Sequence, residues 1–280
     1  MKIELAESYG FCYGVKRAIN IAEKHPNSVT FGPLIHNKDE IARLEKMHKV
    51  GLVETLEDAK KHDTVIIRTH GITKERLKTL KSEGKKIINA TCPYVTTPQQ
   101  IVEKMSKEGY SIVIFGDRKH PEIQGVASYS IDPEKTFIIL SEEEIIGLPL
   151  GPKVALVAQT TRKPEAYQKI ASKLVARVQE LRVFNTICNA TFENQAATEE
   201  LAKKSDIMIV VGGKNSSNTK QLFHICQNNL ESCYHIENSD EIDATWFEGK
   251  EHCGVTAGAS TPDWIIQDVI SKIEELTSRS

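Results

Sequence analysis

No apolar run in the 280-residue sequence approaches the roughly 18 residues that a membrane-spanning helix needs, which argues against an α-helical membrane protein. Charge of either sign is not in excess: 36 Lys and Arg stand against 38 Asp and Glu, a formal net charge of -2. A polynucleotide-binding chain is expected to carry a basic footprint, so nucleic acid is not an expected partner, while a local His-rich pocket for a small anion stays open. None of the six cysteines forms a Cys-x-x-Cys pair, so local spacing announces no metal. A Walker-type phosphate loop, low-complexity tracts and long Pro/Gly linkers are also missing. Near the start, Glu4 and Glu7 interrupt the apolar stretch that a secretion signal requires. The expectation is a cytoplasmic protein whose cysteines stay reduced as core thiols, nucleophiles or metal ligands.

What is present is an ordinary globular composition, 40% hydrophobic and 26% charged, arranged as strand and helix in alternation. Short β-branched runs at 64–68, 111–115, 154–158 and 206–211 alternate with helical patterns at 37–47, 73–83, 97–108 and 195–204. That alternation predicts an α/β fold with mostly parallel sheets.

Self-comparison sharpens this reading, because Cys92 and Gly116 are separated by the same 24 residues as Cys188 and Gly212. His120 and Ser216 each follow four residues later, in polar loops just past a strand-like run. A looser first copy runs from Cys12 through Phe31-Gly32 to His36. Each copy also has a second strand that ends in a polar turn: Thr69-His70-Gly71, Gln159-Thr160-Thr161 and Gly258-Ala259-Ser260. These observations predict three similar α/β units, residues 1–92, 93–186 and 187–280, arranged as a pseudo-threefold cloverleaf around a central site. Ligands of open α/β sheets bind at the carboxyl ends of the strands, where all these loops lie.

A single buried cysteine is ordinarily a small hydrophobe. Cys226, Cys233 and Cys253 fall outside the repeat and are read that way; Cys226 shares a helical face with Leu222, Phe223 and Leu230. Cys12, Cys92 and Cys188 open the three copies, and three soft sulfur ligands would suit an iron–sulfur cluster or zinc with one coordination position open. The loop residues His36, His70 and His120, with Asn215-Ser216-Ser217-Asn218 and Ser260-Thr261, form an anion-binding inventory of imidazole, hydroxyl and amide groups. Glu122, two residues from His120, is the best proton-donor candidate. The histidines at 25, 48, 62, 224, 235 and 252 are read as surface or capping residues.

At these residues the sequence resembles the 4-hydroxy-3-methylbut-2-enyl diphosphate reductase family of the methylerythritol phosphate route to isoprenoids. The likeness rests on Gly10-Phe11-Cys12-Tyr13-Gly14-Val15, His36-Asn37, Thr69-His70-Gly71, Asn89-Ala90-Thr91-Cys92-Pro93, His120-Pro121-Glu122, Gln159-Thr160-Thr161, Ile187-Cys188, Gly213-Lys214-Asn215-Ser216-Ser217-Asn218 and Val255-Thr256-Ala257-Gly258-Ala259-Ser260, and it covers essentially the whole chain. The resemblance implies a [4Fe-4S] cluster on Cys12, Cys92 and Cys188, with one iron open to substrate. It also implies that His36, His70, His120, Ser216, Asn218 and Ser260 hold a diphosphate, that Glu122 relays protons, and that Thr160 orients Glu122 and the substrate hydroxyl. Thr161, Thr191 and Ser217 are implied as neighbouring pocket residues, and ferredoxin or flavodoxin as the electron donor. After Cys188 the chain reads Asn189-Ala190-Thr191-Phe192-Glu193-Asn194-Gln195, where some members carry a second Thr and an Arg, a change at the pocket edge. A zinc-dependent hydrolase of a phosphorylated metabolite and a cluster-bearing redox sensor are the competing readings. The first lacks His or carboxylate spacing near any cysteine, and the second lacks a DNA-binding motif.

Overall fold

A computed structural model of the chain describes residues 1–278. In chain order the elements are β1 Lys2–Leu5, α1 Tyr13–Glu23, β2 Val29–Phe31, α2 Lys38–His48, β3 Gly51–Val53, α3 Leu56–Lys60, β4 Thr64–Ile67, α4 Lys74–Ser82 and β5 Lys86–Asn89. There follow α5 Pro93–Lys107, β6 Ser111–Phe115, α6 Pro121–Ala127, β7 Thr136–Ile139, β8 Lys153–Ala158, α7 Pro164–Val175 and β9 Glu180–Val183. The last elements are α8 Asn189–Ala202, β10 Ile207–Val211, α9 Ser217–Asn229, β11 Cys233–Ile236, β12 His252–Ala257 and α10 Asp263–Ser278. No helix among the described residues is long and apolar enough to cross a membrane.

The strands form three four-stranded sheets in the orders β3-β2-β4-β5, β7-β6-β8-β9 and β11-β10-β12-β1, and every pair is parallel. The expected α/β fold with parallel sheets is therefore what the chain adopts. In each sheet the first strand of the copy lies inside, its second strand on one flank and its third on the other, so all three repeat one topology. The fourth place in the third sheet is taken by β1, whose Lys2–Leu5 pair with His252–Val255. The first strand of the chain thus completes the last of the three sheets.

The chain divides into two compact units. One comprises Met1–Lys16, Ile35–Met47 and the chain from Asn189, with the third sheet; the other comprises Arg17–Leu34 and His48–Cys188, with the first and second sheets. The inner strands β6 (Ser-Ile-Val-Ile-Phe) and β10 (Ile-Met-Ile-Val-Val) are buried at all five positions. They read as continuous apolar runs because a parallel sheet has both faces covered by its crossover helices. In the third sheet Ile207, Ile209 and Val211 pack with Ile265, Ile266 and Val269 of α10, whereas Met208 and Val210 pack on the opposite face with Leu201 of α8 and Leu222 of α9. The same alternation places Ile112 and Ile114 against Val102 and Met105 of α5.

Two helices start earlier than their apolar periodicity predicts. The helix expected from residue 97 begins at Pro93, because a proline in the first turn needs no amide hydrogen and has its φ already set for helix. That expected from residue 195 begins at Asn189, where polar residues in the first turn hide the period. The first copy is looser because α1 has 11 residues against 15 in α5 and 14 in α8, about one turn fewer.

Candidate functional site

Each of Cys12, Cys92 and Cys188 immediately precedes a helix, α1, α5 and α8 respectively. Each is also tied at one equivalent point. The amide of Cys92 donates to the carbonyl of Thr69 (3.0 Å), that of Cys188 to Thr160 (2.9 Å) and that of Cys12 to Ala259 (3.2 Å). Thr69, Thr160 and Ala259 all stand two residues past the end of the third strand of their copy, β4, β8 and β12. The next residues are His70, Thr161 and Ser260. Five residues past the first strands, β2, β6 and β10, stand His36, His120 and Ser216. The three copies therefore share the same spacing at these positions, which follow the two inner strands of each sheet, where doubly wound sheets bind ligands.

The six cysteines separate by environment. Cys226, Cys233 and Cys253 are buried, while Cys12, Cys92 and Cys188 are half-exposed. Burial pushes the Cys253 thiol up to about 12, and a hydrogen bond with Cys226 followed by burial pushes Cys233 up as well. Both stay protonated and inert, as expected of core thiols.

In the unit of the first two sheets, His120 caps α6: its Nδ1 accepts the amide of Glu122 at 3.2 Å, and Pro121 occupies the first helical position. This turns the Glu122 side chain inward, where it is 2% exposed. One carboxyl oxygen accepts the amide of Thr160 (2.8 Å), and the other lies 2.8 Å from the Thr160 hydroxyl, which donates to it. Burial raises the pKa of Glu122, and the two Thr160 bonds and the charge of Arg162 oppose that rise only in part. The result is a carboxyl that holds its proton to higher pH than an exposed glutamate. Gln159 is fully buried and joins the two loops: its amide oxygen accepts from the Asp117 amide (3.0 Å) and from Arg162 (3.2 Å). The rings of His70 and His120 meet edge to face, with centroids 5.5 Å apart. The Thr69 hydroxyl fixes the His70 loop by donating to the Leu34 carbonyl at 2.8 Å.

In the other unit, Ser216 caps α9 by accepting the Thr219 amide, and Ser217 and Asn218 fill the first turn. Asn218 is 5% exposed, and neither atom of its amide has a hydrogen-bond partner. Leaving such a group unpaired costs about 1–3 kcal/mol, so the amide has donor and acceptor capacity to offer a ligand. Thr191 is buried in the first turn of α8. No described bond joins it to the other candidates. A Cβ at Gly213 would overlap the carbonyl oxygen of His36, so only glycine lets the two loops approach. Gly213→Ala is accordingly expected to lower stability by about 1–3 kcal/mol, read from the denaturant midpoint, because a backbone carbonyl cannot rotate away as a side chain can.

The resemblance marked Gln159 and Gly213 only as parts of motifs, and their roles come from packing between loops. Arg17, which bonds the segment before Cys92, had no sequence signal beyond its place on the polar side of α1.

Comparisons with known proteins show what the chain is similar to. The family model described as LytB protein matches residues 3–274. A 4-hydroxy-3-methylbut-2-enyl diphosphate reductase of Sulfurovum sp. is 62% identical over 276 residues, covering 99% of this chain and 100% of the relative. Its counterpart from Helicobacter hepaticus is 59% identical with the same coverage. Among solved structures, an (E)-4-hydroxy-3-methyl-but-2-enyl diphosphate reductase described as the terminal enzyme of the non-mevalonate pathway is 40% identical. It aligns over 98% of this chain and 100% of its own, with a TM-score of 0.72. The E-1-hydroxy-2-methyl-but-2-enyl-4-diphosphate reductase of Plasmodium falciparum is 28% identical, with a TM-score of 0.88 over 96% of this chain and 86% of its own. With the repeated parallel sheets, the cysteine-led copies and a family match spanning nearly the whole length, this chain belongs to the LytB family of reductases.

Proposed function

We propose that this chain reduces (E)-4-hydroxy-3-methylbut-2-enyl diphosphate to isopentenyl and dimethylallyl diphosphate, with a [4Fe-4S] cluster held by Cys12, Cys92 and Cys188. The observation that carries the reading is the equivalence of those three cysteines. Each precedes a helix, each has its amide bonded to the carbonyl two residues past a third strand, and none is sealed in the core as the other three are. The donor set fits the group, since thiolates are the usual ligands of such clusters and three of them leave one iron without a protein ligand. When bound, the cluster supplies electrons and a Lewis-acidic iron.

The chain's own residues do the rest. His36, His70, His120, Ser216, Asn218 and Ser260 hold the diphosphate, with Thr161, Thr191 and Ser217 beside them. Binding this remote group positions the allylic hydroxyl without taking part in its departure. Hydroxide is a poor leaving group until it is protonated. Glu122, whose pKa burial raises, supplies that proton through the Thr160 hydroxyl, which accepts it while turning its own hydrogen from the carboxyl toward the departing oxygen. Two electrons and two protons enter, the C–O bond breaks and water leaves; protonation at either end of the allylic system decides between the two products. The electron donor is a ferredoxin or flavodoxin, and the setting is the cytoplasm.

The test is anaerobic purification followed by iron and sulfide analysis, with optical and paramagnetic-resonance spectra recorded before and after adding the allylic diphosphate. The expected result is about four irons per chain and spectra that shift with substrate. Stoichiometric zinc in a colourless protein that stays inactive after cluster reconstitution would replace this reading with the hydrolase.

A further inference from the structure

The turn before Cys92 is bonded more completely than its counterparts. Its Thr91 amide donates to the Asn89 side chain (3.0 Å), and the Ala90 amide to the Ile67 carbonyl (3.0 Å). Arg17 then spans the carbonyls of Asn89 and Thr91. One guanidinium nitrogen donates to Thr91 O at 3.2 Å and another to Asn89 O at 3.3 Å, across more than 70 residues of sequence. The Thr91–Cys92 peptide is thereby pinned from both sides, its oxygen by Arg17 and its N–H by Thr69 O. Before Cys188 the Asn turn recurs, with the Ile187 amide bonded to the Asn185 side chain at 3.3 Å. Among the described residues, however, no arginine bonds the carbonyl of Ile187 or of Phe11. The cation belongs to one copy of the three, and it sits on α1, the helix that follows Cys12.

From this we infer that Arg17 is a positioning residue for Cys92, fixing the direction of its thiolate and placing a permanent positive charge next to that ligand. The inference rests on the reading of Cys92 as a cluster ligand. Two consequences follow from the chemistry. An arginine fork locks two carbonyls where a lysine can bond only one at a time, so the geometric part of the role depends on the guanidinium. The electrostatic part depends only on charge, because the reduction potential of a cluster rises when positive charge near it stabilises the more negative, reduced state.

The two parts separate in variants. In the reconstituted holoenzyme, Arg17→Met is expected to move the cluster's midpoint to more negative potential and to lose iron to a chelator about 10-fold faster than the wild type, the usual scale for removing a group that orients a metal ligand. Arg17→Lys is expected to keep the wild-type midpoint yet still lose iron faster. Wild-type midpoint and wild-type iron loss in Arg17→Met would overturn the inference. Should Arg17→Met fail to fold, wild-type iron loss in Arg17→Lys would overturn it equally. A wild-type chain that assembles no cluster removes the reading of Cys92 and this inference together, whereas a stable wild-type cluster beside unaltered variants removes the inference alone.

Discussion

Replacing Glu122 by glutamine is expected to lower turnover by about 10²–10⁴-fold, the usual worth of a positioned general acid, while leaving diphosphate binding and the iron content unchanged. The substitution is gentle in shape. A glutamine oxygen can accept the Thr160 amide, while its NH₂ can only donate to the Thr160 hydroxyl, which must turn its own hydrogen away, as it also must beside a protonated Glu122. The pH dependence follows from the direction of the shift. Because the folded-state pKa of Glu122 is raised, mainly by burial, the carboxyl is protonated below that pKa and turnover falls as pH rises through it. The small residual turnover of the glutamine variant should lack this limb. Stability has the same sign: a raised carboxyl pKa means the folded chain binds more protons than the unfolded chain between the two values. Glu122 therefore costs nothing below its unfolded pKa and destabilises progressively as pH rises through the folded one. Glu122→Gln is thus expected to be as stable as the wild type in acid and more stable at alkaline pH. Wild-type turnover in the variant, measured with excess reductant, would remove Glu122 from the proton path.

Cys92→Ser is expected to abolish turnover and to leave the chain without its full complement of iron, whereas Cys253→Ala keeps both. The contrast comes from environment rather than residue type. Serine is a poor ligand for the soft iron–sulfur unit, and its amide would still be held by Thr69, so the fold survives while the ligand is lost. Cys253 lies fully buried in β12 with its thiol held protonated, so truncating it removes only packing, about 1–2 kcal/mol. Metal analysis and a denaturant melt of each variant distinguish loss of the cluster from loss of the fold. A Cys92→Ser chain that retains four irons would show that the repeat position does not mark a ligand.

The placing of the candidate loops after inner strands is legible in the sequence because it is repeated. The equal spacing of Cys92 to Gly116 and Cys188 to Gly212 survives into the structure as two copies of a helix, an inner strand and a polar loop. The apolar runs at 111–115 and 206–211 mark inner strands because a strand covered on both faces has no polar alternation. Flanking strands are harder to find. In β9, Glu180–Val183, two of four residues are exposed, so packing gives the segment no distinctive pattern. Helix starts at Pro93 and Asn189 are masked in a similar way, since first-turn residues answer to capping rather than to the apolar face.

By itself the sequence determined the strand–helix alternation, the threefold recurrence and the chemical types gathered at each loop, because all of these are written in local order and spacing. Tertiary structure alone decided that Lys2–Leu5 complete the last sheet, some 250 residues away in the chain. It alone decided that Glu122 is buried against Thr160 with its pKa raised, and that Arg17 grips the turn before Cys92. Strand pairing, desolvation and long-range hydrogen bonds depend on which surfaces meet in space. Residues far apart in sequence leave no periodic trace of that meeting until the chain has closed.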